Sequence, residues 1–316
     1  MQTLHFSLFG KLKICDDHQT FIALEARRAQ ELLCYLLLYR NRLHEREKLA
    51  TLMWCDAPAP QSKKYLRQAL WKVQTAVNLA NGADQAQILR IEHEHIGINP
   101  VASFWLDVAA FEEAFAAVHN MRGRDLNQAQ IDRLKAAVQL YKGDLLEGWY
   151  QDWYVYERER YQNIYLAMLD KLLSYSEAYQ QFETGITYGL QILGYDRARE
   201  TTHQRLMGLY YAAGDRTTAL HQYALCVAAL QEELNVGPSE RTIALYEQIR
   251  TDRLEPAAPK PPAPQPVAKV VEASPVDQLQ QLQQIQIALA KLQEQVGQLI
   301  NSMQQTNSQR AVEPQS

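Results

Sequence analysis

Between Lys63 and Thr75 the chain gathers side chains on which nucleic-acid chemistry can be built: Lys63, Lys64, Arg67, Gln68, Trp71, Lys72 and Thr75. Leu66, Ala69, Leu70, Val73 and Val77 recur at helical spacing and form an apolar stripe. That stripe turns Lys64, Arg67, Gln68, Trp71 and Thr75 to the opposite side, with Lys63 and Lys72 beside them. A helix that enters the major groove of double-stranded DNA needs cations within reach of phosphates and long polar side chains that match base edges. Lys63, Lys64 and Arg67 suit phosphate or guanine, and Gln68 suits the edge of adenine. An ordinary solvated helix face carries the same residue types, so the decision falls to the elements around it.

Those elements can be read from pattern. Leu4, Phe6 and Leu8 alternate with polar residues, as do Leu12 and Ile14; Asp16-Asp17 makes a turn before a further strand through Phe21 to Leu24. Helices are predicted over Arg27–Tyr39, Glu45–Met53 and Lys63–Leu79, with Pro58 and Pro60 breaking the chain before the third. Ile88 to Ile91 and Ile96 to Ile98 predict a closing hairpin around His93-Glu94-His95. Strands, three helices and a hairpin are the order of a winged helix-turn-helix, an α+β domain over residues 1–100. The third helix is then the recognition element, and Arg27, Arg28, Arg40, Arg42 and Arg46 are candidate contacts to the DNA backbone.

The charge agrees once it is divided. The 316 residues carry a net −4, which taken whole points away from a polyanion. Residues 1–99 hold 13 basic and 10 acidic groups, whereas residues 100–254 hold 15 and 21. Within Arg27 to Lys72 the balance is 10 basic to 4 acidic, so a basic head precedes an acidic body.

Catalysis finds little support. The chain has no GxxxxGK[ST], GxGxxG or GxSxG pattern, and no cofactor is implied. His93 and His95 share a strand face, but no further ligand pair is near in sequence, so they read as a hairpin tip and no metal is expected. Cys15, Cys34, Cys55 and Cys226 are too scattered for a disulfide framework. The longest apolar run, Leu32 to Tyr39, is too short to cross a bilayer, and the N-terminus has no secretory pattern. A cytoplasmic protein with reduced thiols is expected, with no membrane partner.

Residues 101–254 read as all-α. Asp107 stands at a helix start before Phe111 and Phe115; further helices run over Ile131–Tyr141 and Asp152–Tyr179, and three or four more lead to Arg250. Shifted by 34 residues the chain overlays itself: Leu172 on Leu206, Leu173 on Met207, Ala178 on Ala212, Gly185 on Ala219, Ile186 on Leu220 and Leu193 on Val227. That is the period of tetratricopeptide-like repeats, whose helix pairs stack and bury their faces against neighbours.

Residues 255–275 form a linker rich in Pro and Ala, and residues 276–305 a glutamine-rich amphipathic segment. Leu282, Leu289, Val296 and Met303 fall every seven residues, with Ile285, Leu292 and Leu299 between them, the seam of a short coiled coil. A homo-oligomer is expected, a dimer by preference, although the mixed seam does not itself separate dimer from trimer. Residues 306–316 are expected to be a disordered tail.

The sequence resembles the SARP type of bacterial transcriptional activators, a response-regulator-like winged helix followed by a bacterial transcriptional activation domain. The likeness lies in Leu8-Phe9-Gly10, Arg27 to Leu33, Leu49 to Trp54 and Leu66 to Leu70 in the first domain. In the second it lies in Asp107 to Phe111, Tyr141 to Leu146, Gly214-Asp215-Arg216 with Ala219-Leu220 and Tyr223, and Glu233 to Pro238. The resemblance implies sequence-specific DNA binding and activation, with the helical domain serving oligomerisation or contact with RNA polymerase or other transcription machinery. Trp71, Gln74 and the acidic hairpin Ile91 to Ile96 depart from the pattern. The contrasting expectation is a tetratricopeptide-like scaffold whose winged helix binds protein instead of DNA.

Overall fold

The computed structural model describes residues 3–81, 86–149 and 151–254, which belong to one compact unit spanning 1–263. The linker, the coiled-coil seam and the tail lie outside the described residues.

The chain opens with strands β1 (Leu4–Ser7) and β2 (Lys13–Cys15), paired antiparallel with Phe6 opposite Ile14. Alternation works as expected: Leu4, Phe6 and Leu8 are fully buried, while His5 and Ser7 are half-exposed. The expected strand from Phe21 to Leu24 is reduced to a single bridge from Cys15 to Phe21, because Phe21 is 72% exposed and buries nothing. Helices α1 (Arg27–Leu38), α2 (Arg46–Met53) and α3 (Ala59–Asn81) follow, with the short strand β3 (His44–Glu45) between the first two. Strands β4 (Leu89–Ile91) and β5 (His95–Ile98) form the hairpin, and β5 also pairs with β3 through His44 opposite Ile96.

Next comes β6 (Phe104–Leu106), which sequence pattern did not reveal. It pairs parallel with β1, Leu4 opposite Phe104 and Phe6 opposite Leu106, so the whole three-helix unit is the crossover between two adjacent strands. Helix α4 (Asp107–Ala116) leaves β6 directly. Asp107 does not cap it from outside but sits in its first turn. One carboxylate oxygen accepts from the amides of Leu8 (2.7 Å) and Phe9 (3.0 Å), and the other from Val108 (2.7 Å). Burial pushes this carboxyl up to about 6, against the backbone N–H groups that pull it down.

The remaining helices are α5 (Gln128–Leu140), α6 (Asp152–Ala178), α7 (Phe182–Tyr195), α8 (Glu200–Ala212), α9 (Arg216–Leu234) and α10 (Glu240–Arg250). The 34-residue period is visible in the boundaries: α6 and α8 end at Ala178 and Ala212, and α7 and α9 start at Phe182 and Arg216. Small residues sit where helices approach. A Cβ on Gly185 would lie 3.2 Å from the Ser176 Cβ, and Ala219 is fully buried. The tightest approach is elsewhere, in the turn Gly123–Asp125: a Cβ on Gly123 would stand 2.2 Å from the carbonyl oxygen of Lys171 on α6. Backbone cannot swing away as a side chain can. Gly123→Ala is therefore expected to destabilise the fold by about 2–3 kcal/mol, read from the urea midpoint.

One continuous core joins the strands and helices at the start of the chain to α4–α8, with Phe9 against Phe111, Tyr141 and Tyr161. A partly exposed ion-pair relay crosses the same junction. Glu112 takes Arg40 (2.6 Å), Arg160 (2.7 Å) and the Tyr161 hydroxyl (2.9 Å), and these partners hold its carboxyl below the usual range although burial opposes them.

Candidate nucleic-acid interface

Helix α3 begins at Ala59, four residues ahead of the expected Lys63, and Pro58 and Pro60 start it rather than break the chain. A first-turn N–H has no intrahelical partner, so Pro60 sacrifices nothing there. The Pro58 carbonyl accepts from Gln61 and Ser62, and the Ser62 hydroxyl donates to the Ala59 carbonyl. Leu66, Ala69, Leu70, Val73 and Val77 are buried, and α3 packs on α1 and α2. This stripe fixes which side of α3 faces outward.

On that outward side Lys63, Lys64, Arg67, Gln68 and Lys72 are exposed, and Trp71 is 65% exposed. Thr75 is half-buried and its hydroxyl donates to the Trp71 carbonyl (2.8 Å), which leaves the methyl as its outward chemistry. Lys64, Arg67 and Lys72 form no ion pair among the described residues. Lys63 differs: its ammonium lies 2.5 Å from the Glu47 carboxylate at the start of α2 and holds that carboxyl below its ordinary range. Nothing in sequence spacing marks Glu47, sixteen residues away from Lys63, as a counter-charge.

Two grooves flank the helix. In the first, Lys63 and Arg67 face Glu45 of β3, Arg46 and Glu47 of α2, and His93, Glu94 and His95 of the hairpin tip. Arg46 ties that tip down, its amide donating to the Glu94 carbonyl (2.9 Å) and its guanidinium to the Glu92 carbonyl (3.3 Å). In the second, Arg28 stands beside Gln68 and Lys72, with Trp54 and Tyr65 between the helices. Arg28 (2.8 Å) and Arg27 (3.1 Å) also share the buried Glu31, and Arg27 lies over the Trp149 ring at 4.3 Å. Arg40 and Arg42 are not brought to α3. Arg40 is held by Glu112, Arg42 lies over the Tyr39 ring at 4.7 Å, and both line a different cleft beside β6.

The hairpin remains poor in free cations. Arg90 is paired with Glu92 at 2.5 Å, and the groove beside α3 carries Glu45, Glu47 and Glu94. Among the described residues no group of three or more His, Cys, Asp and Glu is arranged to hold a metal, and no helix is long and apolar enough to cross a membrane.

An exposed polar helix on two supporting helices, beside a hairpin and joined to a stack of helix pairs, is the architecture of a winged helix joined to a helical-repeat domain. The family model for the bacterial transcriptional activator domain matches residues 106–250, from the end of β6 to the end of α10. The fold is also that of Mycobacterium tuberculosis EmbR, solved in complex with a low-affinity phosphopeptide: TM-score 0.58 and 18% identity, covering 81% of this chain and 67% of that one. No curated protein matches. Residues 106–250 are thus similar to the bacterial transcriptional activator domain, and the likeness to EmbR is one of fold.

Proposed function

We propose that the chain binds double-stranded DNA sequence-specifically and activates transcription, with α3 as the helix that enters the major groove. One observation carries this reading: Lys64, Arg67, Gln68, Trp71 and Lys72 stand exposed on one face of a helix whose opposite stripe is buried, and its three cations have no ion-pair partner among the described residues. Lys64 and Arg67 contact guanine or phosphate, Gln68 reads adenine, and Trp71 with the Thr75 methyl offers apolar contact to thymine. Arg28 and Arg46 flank the helix as backbone contacts, although Arg28 shares Glu31 with Arg27, and Lys63 is paired with Glu47. Arg40 and Arg42 take no part.

Residues 1–100 are the DNA-binding part and residues 101–254 the part that contacts RNA polymerase or other transcription machinery. The segments 255–275 and 276–305 link and pair two chains through the seam from Leu282 to Met303. A pair of chains occupies two half-sites one or two helical turns apart, roughly 10 or 20 base pairs. Footprinting on the promoter region of the protein's own gene tests this: two protected half-sites at that spacing support it, and no protection at any concentration overturns it. Sedimentation of the full chain against a chain ending at Glu255 tests the seam. The full chain is expected to have twice the mass of the shortened one, and equal states of association would remove the pairing.

The Glu47–Lys63 pair adds a smaller effect. Removing one exposed acid beside a phosphate-binding face and releasing a lysine are each worth a fraction of a kcal/mol. Glu47→Gln is expected to tighten DNA binding about two- to fivefold, most clearly at low salt, measured by fluorescence anisotropy.

A further inference from the structure

The second strongly cationic feature lies away from α3. The turn that follows α1, the end of β5, strand β6 and the first turn of α4 enclose a cleft of about 590 Å³. Its lining includes Arg40, Arg42 and Arg90 and no aspartate or glutamate. Ordinary small-molecule sites have volumes of roughly 300–1,000 Å³, a mainly apolar wall and few polar groups, and often lie where two domains meet. This cleft has that size, a wall more apolar than polar and a place where the first sheet and hairpin join the helical domain, and it is open to solvent with three arginines on its lining.

The three guanidiniums are not equivalent. Arg40 is neutralised by Glu112 at 2.6 Å and Arg90 by Glu92 at 2.5 Å. Arg42 has only the Tyr35 hydroxyl at 3.4 Å and the Tyr39 ring beneath it, with no carboxylate among the described residues. The backbone of its turn packs closely on β5, where a Cβ on Gly97 would stand 2.8 Å from Leu43 Cδ2 and 3.2 Å from the Arg42 carbonyl oxygen, while the Arg42 side chain itself is exposed. Beside this unneutralised cation the wall is apolar. Leu43 is 40% exposed, and Ile98, Phe104 and Ala109 continue the surface.

A guanidinium presents two parallel N–H donors that match a carboxylate, and the apolar wall gains by covering hydrocarbon. We propose that this cleft binds a small organic carboxylate, its anionic head on Arg42 and its apolar body along Leu43, Ile98 and Phe104. The site is independent of the DNA-binding reading of α3. Its occupant would touch the wall of the Arg40–Glu112–Arg160 relay, which places an effector beside the joint between the two halves of the described unit.

Octanoate is the probe, titrated calorimetrically into the full chain, with octylamine, octanol and inorganic phosphate as comparisons. Saturable one-to-one binding of octanoate is expected, with no binding of octylamine and no displacement by octanol or phosphate. Arg42→Gln, a change at an exposed side chain, is expected to weaken octanoate at least about tenfold, and Leu43→Ser to weaken it less, as hydrocarbon contact is lost. Three results would overturn the site: equal affinity for octanoate and octylamine, equal affinity in wild type and Arg42→Gln, or displacement by phosphate alone. Displacement of octanoate by a DNA duplex would assign the cleft to nucleic acid and overturn it too.

Discussion

Replacing Lys64 and Arg67 together by alanine is expected to abolish specific DNA binding while leaving the fold intact. Both side chains are exposed and neither forms an ion pair among the described residues, so nothing inside the protein depends on them. A good base contact contributes about 1–3 kcal/mol of discrimination, and a phosphate contact adds a salt-dependent share. Losing two such contacts corresponds to a site weaker by about 30-fold to 10⁴-fold at about 1.4 kcal/mol per tenfold. The single variants separate the roles. A residue that reads a base relaxes sequence preference at one position, whereas one that binds phosphate weakens all sequences alike and reduces the salt slope by about one. An unchanged thermal midpoint alongside lost binding is the expected pair of observations. Full affinity in the double variant would move the interface off α3.

The second large effect is on stability and centres on Asp107. Asp107→Ala leaves the buried amides of Leu8 and Phe9 without an acceptor, and an unsatisfied buried donor costs about 1–3 kcal/mol. A loss of about 2–5 kcal/mol is expected, which for a domain of marginal stability removes a large share of the total. The charge has a signature of its own. Its carboxyl titrates near 3.8 in the unfolded chain and is raised to about 6 in the folded one, so the folded chain holds the proton more tightly. The contribution of this group is therefore most favourable below pH 4 and is lost as pH rises to about 6, a fall of about 3 kcal/mol for two pH units of difference. Asp107→Asn keeps one carbonyl for the Leu8 and Phe9 amides and removes the titration. Its denaturant midpoint is expected to vary less than the wild type's between pH 4 and 6, and equal slopes in the two chains would contradict the role given to Asp107.

Elements with a strong local period were legible in the sequence. The apolar stripe from Leu66 to Val77 gave α3 its orientation, and the 34-residue offset gave the turns between α6 and α7 and between α8 and α9. What pattern did not show is where distant segments meet. The three residues of β6 carry too little alternation to register as a strand, and only their pairing with β1, a hundred residues earlier, makes them one. Pro58 and Pro60 read as breakers because the sequence does not say which turn of a helix they occupy. The arginines form the sharpest case: five of them looked alike as phosphate contacts, yet Arg40 belongs to Glu112 and Arg42 to the β6 cleft, because the fold distributes residues of one short basic stretch over different surfaces. Local composition sees charge but not the partner that neutralises it.

On the proposed reading, α3 binds duplex DNA through cations the protein leaves unneutralised. The most direct measurement is the affinity of the full chain for a duplex from its own promoter region at 50 and 200 mM salt. About four phosphate contacts predict roughly a hundredfold weaker binding at the higher salt, and the Lys64→Ala/Arg67→Ala chain should lose both affinity and much of that slope. Binding that is absent at both concentrations, or unchanged between them, would contradict it.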